Sequence, residues 1–127
     1  MTNSRSREAA QRFADRRKRE DDAPRLSSEV PGLATLRLAV EERRGTVASA
    51  ESKHLRHVMV ERAPALFVIP CGDPSCDGGG YDLTNPIMRE LRAHRTEFTV
   101  EDECFGNVGT SRCGRMVRAL GTATYRD

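Results

Sequence analysis

All four cysteines of this chain fall in two short, turn-rich stretches: Cys71-Gly-Asp-Pro-Ser-Cys76 and Cys104-Phe-Gly-Asn-Val-Gly-Thr-Ser-Arg-Cys113. Four residues separate the first pair, eight the second, and twenty-seven lie between the pairs. Tetrahedral zinc takes four soft ligands at about 2.3 Å, and a loop bracketed by two cysteines can supply two of them. Gly72, Asp73 and Pro74 suit a tight turn in the first loop, and Gly106, Asn107 and Gly109 do so in the second. The expectation is one structural Zn2+ held by Cys71, Cys76, Cys104 and Cys113. The first spacing sits at the upper end of the zinc-knuckle range, and the second is looser. The competing readings are two local disulfides, Cys71–Cys76 and Cys104–Cys113, or small core thiols.

Compartment weighs between these readings. The N-terminus carries charge with no apolar stretch behind it, so no secretory signal is expected. No apolar run approaches the roughly 20 residues of a membrane span. A cytoplasmic chain is expected, with reduced thiols that favour metal or redox chemistry over structural bridges. The chain has 127 residues and is 37% hydrophobic. That allows one domain with a modest core, the kind that commonly needs a staple.

The metal hypothesis constrains the fold. Residues 4–22 read as a basic helix capped by Ser4 or Ser6, with Phe13 its only large apolar side chain. Residues 1–25 form a charged arm and 26–32 a linker, leaving 33–127 as the folded body. Leu36, Leu38 and Val40 alternate with Arg37, Ala39 and Glu41, the period-2 signature of a half-buried strand. A loop over 43–53 follows. A second strand, 55–62, carries Val58 and Val60, bends at Pro64 and resumes to Ile69. A helix over 83–94 starts at Thr84 or Asn85 as cap, with Pro86 in its first turn. Its buried stripe is Leu83, Ile87, Leu91 and either Met88 or Ala93. Strands over 96–103, with Phe98 and Val100 inward, and 115–125 complete the body. For one ion to collect all four cysteines, strands two and three must end on the same side. This gives an α+β fold, ββαββ, with a four-stranded antiparallel sheet of order 1-2-4-3, one packed helix, a four-cysteine zinc site at one end and a separate basic helix.

Net charge is +2. Residues 1–25 hold eight bases against five acids, while the remainder holds thirteen against fourteen. Arg12, Arg16, Arg17, Lys18 and Arg19 of the first helix, with Arg89, Arg92 and Arg115, make a candidate phosphate-contacting surface, joined by Arg95, Arg112 and Arg118. Interleaved acids and an aromatic content of 5% point the other way, toward a solvated charged face.

Other features have plainer roles. His54, His57 and His94 read as exposed or helix-end residues. Asp73, Asp77 and Asp82 read as turn-formers and caps, because four thiolates leave zinc no open position for water. Gly78–Gly80 lacks the Gly-Lys-Ser/Thr of a phosphate loop and reads as a flexible connection. The resulting expectation is a binding module rather than an enzyme, its partner nucleic acid, a ribonucleoprotein or another protein. The alternative is a thiol redox or metal sensor whose cysteines cycle between zinc-bound and disulfide states; a hydrolytic enzyme ranks behind both.

Overall fold

The computed structural model describes residues 4–44 and 52–126. The chain runs α1 (Ser4–Asp22), α2 (Leu26–Glu29), β1 (Leu33–Arg44), β2 (Ser52–Val58), β3 (Val68–Pro70), β4 (Gly80–Asp82), α3 (Thr84–Arg92), β5 (Glu97–Glu103), β6 (Asn107–Val108), β7 (Ser111–Arg112) and β8 (Arg115–Tyr125). The middle of the expected 43–53 loop, 45–51, lies outside the described residues, as do the side chains of Ser4, Ser6 and Phe13.

The fold is α+β, built on a four-stranded antiparallel sheet of order β2-β1-β8-β5. The expected order 1-2-4-3 is corrected: strand one lies inside the sheet and strand two at its edge. Burial explains the exchange. β1 and β8 are the longest strands, at 12 and 11 residues, and each keeps an apolar inner face along most of its length. Both edges of each are hydrogen-bonded, which suits strands with that much apolar surface to cover. β2 is exposed along nearly all of its length, with Leu55 at 55%, and takes the edge.

The second expected strand also does not run on to Ile69. It stops at Val58, the chain turns through Met59–Ala63, and Val68–Pro70 pairs instead with Gly80–Asp82 in a two-stranded hairpin. Cys71 therefore reaches the other cysteines on a separate hairpin, and the same-direction requirement on strands two and three disappears. A second small hairpin, β6–β7, lies inside the Cys104–Cys113 loop.

The core lies between the sheet and α3. Leu36, Leu38 and Val40 of β1, Phe98 and Val100 of β5, and Val117, Ala119 and Ala123 of β8 are all buried. Leu83, Ile87, Met88 and Leu91 meet them from the helix side, so Met88 rather than Ala93 completes the stripe. Gly121 allows the closest approach: a Cβ there would overlap the Phe98 ring of the neighbouring strand. Neither Thr84 nor Asn85 caps α3; Leu83 holds the N-cap position without a side-chain bond. The Asp82 carboxylate accepts from the Thr84 amide (3.1 Å), and the Thr84 hydroxyl accepts from the Phe67 amide (2.8 Å).

Residues expected as linker are partly structural. Leu26 is fully buried and Val30 nearly so. The Leu26 amide donates to Ala63 O (2.9 Å), and the Ala65 amide donates to Pro24 O (2.7 Å).

Candidate metal centre

The hairpin β3–β4 delivers Cys71 and Cys76 to the end of the sheet where β5 delivers Cys104 and β8 begins just after Cys113. The four Sγ atoms lie within 4.8 Å of one another. Cys71 and Cys113 are 3.8 Å apart at sulfur, and Cys76 and Cys104 are 3.6 Å apart. Four sulfurs at about 2.3 Å from a central zinc stand about 3.8 Å from each other. All four are free thiols. Both of these contacts cross between the loops.

Local backbone chemistry prepares both loops for anionic sulfur. The Asp73 amide donates to Cys71 Sγ (3.5 Å), and the Gly106 amide donates to Cys104 Sγ (3.4 Å). Each donor lies two residues past its cysteine, so the loops share one turn design. Asp77 and Asn107 stitch the loops together through reciprocal backbone bonds of 2.8 and 3.2 Å. Where they cross, Gly79 and Gly106 face each other. A Cβ at Gly79 would overlap the sulfurs of Cys76 and Cys104, and a Cβ at Gly106 would overlap Gly79 and Cys76. The backbone approaches the sulfurs this closely only because both residues lack side chains. Gly79→Ala is therefore expected to displace a ligand sulfur and weaken zinc at least tenfold, read by competition with a chromogenic chelator. Gly109→Ala is the control for metal affinity: nothing lies within 4 Å of its Cβ position, although its φ of +62° adds local strain.

The thiols titrate unequally. Burial pushes Cys71 up to about 11, with the neighbouring thiols of Cys104 and Cys113 adding to it. Burial likewise raises Cys76. Burial also acts to raise Cys104, but the Gly106 amide and the adjacent thiols bring it below its ordinary value. Without a cation, two of the four sulfurs thus hold their protons firmly. A divalent metal would displace them, which makes affinity fall with acid.

Behind the loops lies a charged pair of which only Arg115 was expected as a functional residue, and that on the surface. Glu42 and Arg115 are both buried, with Arg115 Nε donating to Glu42 Oε2 at 2.9 Å. The Tyr81 hydroxyl (3.1 Å) and the Gly72 amide (2.9 Å) donate to the same carboxylate oxygen. Burial works to raise the Glu42 pKa, yet the Gly72 amide, Arg115 and Tyr81 together bring it below 4.5. One carboxylate thereby ties β1, β8 and β4 to the residue after Cys71. A signal was present: Glu42 continues the inward phase of Leu36, Leu38 and Val40, and Arg115 that of Val117 and Ala119.

The candidate surface residues scatter. Arg115 is taken up by Glu42 and leaves the surface. Arg12, Arg16, Arg17, Lys18 and Arg19 are exposed along α1, with Arg16 paired to Glu20 and Arg19 to Asp82, each at 3.3 or 3.2 Å. Arg89 and Arg92 are exposed on α3, and Arg92 reaches Glu29 at 3.3 Å. His94 stacks on Tyr125, ring centroids 4.6 Å apart, while His54 and His57 are exposed on β2. Asp73 accepts from the Ser75 amide (2.9 Å) and pairs with Arg44, the conduct of a turn residue.

Fold and site together define an α+β scaffold carrying a candidate metal centre of four cysteines. Comparison with protein-family models, with curated proteins and with solved structures returned no match. Among the described residues, no helix is long and apolar enough to cross a membrane.

Proposed function

We propose that the chain is a small binding module stapled by a structural zinc ion on Cys71, Cys76, Cys104 and Cys113, and that it engages nucleic acid or a ribonucleoprotein through the basic face of α1. The observation that carries the staple is the sulfur cluster, whose 3.6 and 3.8 Å contacts suit a tetrahedral ion. Binding rather than catalysis follows from saturation, because four thiolates leave zinc no position for water or substrate. The partner half is supported by Arg12, Arg16, Arg17, Lys18 and Arg19, all exposed on one helix, with Arg89 and Arg92 on α3.

Salt tests the partner half. Affinity for a single-stranded oligonucleotide is expected to fall log-linearly with salt, with a slope of about −0.7 per phosphate neutralised. Fluorescence anisotropy across a salt series reads it directly. A flat response, or no binding at low salt, transfers the surface to a protein partner.

A redox reading has two observations in its favour: the crossed contacts would let oxidation form Cys71–Cys113 and Cys76–Cys104 bridges, and Cys104, which faces Cys76, titrates below its ordinary value. Against it stand the raised pKa values of Cys71 and Cys76, since the thiolate is the attacking species. Thiol counting after mild oxidant separates the readings. Zinc-bound thiolates keep a constant count, and a sensor loses thiols and metal together.

A further inference from the structure

We infer that the groove between α1 and the metal loops takes one unpaired nucleotide of a single-stranded nucleic acid, its base on the Phe105 ring and its phosphates on Arg12, Arg16 and Arg19. This rests on the nucleic-acid reading above and gives it a location and a strand form.

The groove measures about 380 Å³, with Arg12, Arg16 and Arg19 on one wall and Ile69, Gly80 and Phe105 among the groups opposite. That is at the small end of ligand sites, which run from about 300 to 1,000 Å³. It suits one nucleotide-sized group rather than a duplex. Phe105 is 61% exposed although Cys104 before it and Gly106 after it are buried. Its backbone is fixed, the amide donating to Gly80 O at 3.3 Å. Its ring lies over Gly80, with Cζ 3.6 Å from where a Cβ would stand. The ring is thus an anchored platform with an open face, and a π-face stacks any base.

The opposite wall supplies the charge. Among the described residues, Arg16 and Arg19 are bonded to exposed acids, Glu20 and Asp82, and such pairs are weak enough to yield to phosphate. Asp15 also lines the groove, and it accepts from Gln11 on its own helix at 2.8 Å. The lining itself carries three arginines against Asp15, and a phosphate would compete with Glu20 and Asp82 for two of them. An acidic peptide would use the arginines but has no need of an exposed ring. A nucleotide uses both.

The test is fluorescence anisotropy of the zinc-loaded full chain with a short labelled oligothymidylate. Phe105→Ala is expected to weaken binding about 5- to 150-fold, the range for losing one stacked base, with the salt slope unchanged. The double variant Arg12→Gln/Arg16→Gln should flatten that slope by about 0.7 per phosphate lost. Phe105→Trp should keep affinity, and because the chain has no other Trp its fluorescence should be quenched by the strand. Zinc content and melting of each variant separate groove effects from damage to the staple; if Phe105→Ala loses zinc, the indole quenching decides. The groove assignment is overturned if Phe105→Ala binds like wild type or if the indole of Phe105→Trp stays unquenched. It is also overturned if duplex DNA or free thymidine monophosphate binds as tightly as the strand, or if poly-glutamate displaces the strand with the same Phe105 dependence. Salt-dependent binding indifferent to Phe105 removes the groove alone, whereas no binding by wild type removes the nucleic-acid reading with it.

Discussion

Chelation of the metal is expected to abolish the cooperative thermal transition of the protein, and Cys104→Ser to do the same without chelator. The expectation follows from what surrounds the sulfurs. Cys104 is 1% exposed and Cys113 4%, so without an ion the clustered thiols are left with only the weak Asp73 and Gly106 amide contacts and one another. The hairpins that bring them together have strands of three and two residues. Two-stranded units of that length are not stable alone. A structural zinc site contributes roughly 10–16 kcal/mol of apparent folding free energy, against about 5–15 kcal/mol for the net stability of a typical domain. The metal term is as large as the whole margin. Differential scanning calorimetry with and without chelator measures the effect, and circular dichroism shows whether the β1–β8–β5 sheet survives.

Replacing Glu42 by Ala is the second large effect, with an expected cost of about 3–5 kcal/mol, the range for breaking a buried ion pair by removing one partner. Arg115 would stay buried, and the Tyr81 hydroxyl and Gly72 amide would lose their shared acceptor. Replacing both partners, Glu42→Met with Arg115→Leu, should recover most of the stability, because it removes the buried ion pair whole rather than one half of it. It should not recover metal affinity, since the Gly72 amide still lacks the carboxylate that positions the first loop. The pH dependence has a definite sign. With its folded pKa below 4.5, Glu42 contributes fully above that value and loses its contribution as pH falls through the lower folded value. Protonation of the cysteines acts on wild type and Glu42→Gln alike. The stability gap between those two proteins, from urea melts, should therefore be constant near neutrality and narrow in acid.

The parts of this structure that rest on local chemistry could be read from the sequence. The alternation of Leu36, Leu38 and Val40, the Leu83–Ile87–Leu91 stripe and the clustering of the four cysteines each follow from spacing. Strand order could not be read that way. Alternation states which face of a strand is covered but not which strand lies beside it, and Val58 and Val60 made the second expected strand look as buried as the first. Apolar residues after Pro64 appeared to continue that strand, whereas Val68–Pro70 pairs with Gly80–Asp82. The Glu42–Arg115 pair was legible only as two charges of opposite sign, each in phase with an apolar face. Phe105 carried no periodic signal, since it sits alone in a turn between Cys104 and Gly106.

The central claim is that these four thiols hold one zinc ion, and metal content tests it most directly. Protein purified without added metal should carry close to one zinc per chain, with a native mass above that of the thiol form by one zinc less the displaced protons. Cobalt substituted at the site should show the intense absorption of a tetrahedral thiolate centre. Metal-free protein with four titratable thiols and a melting temperature unchanged by chelator would contradict it.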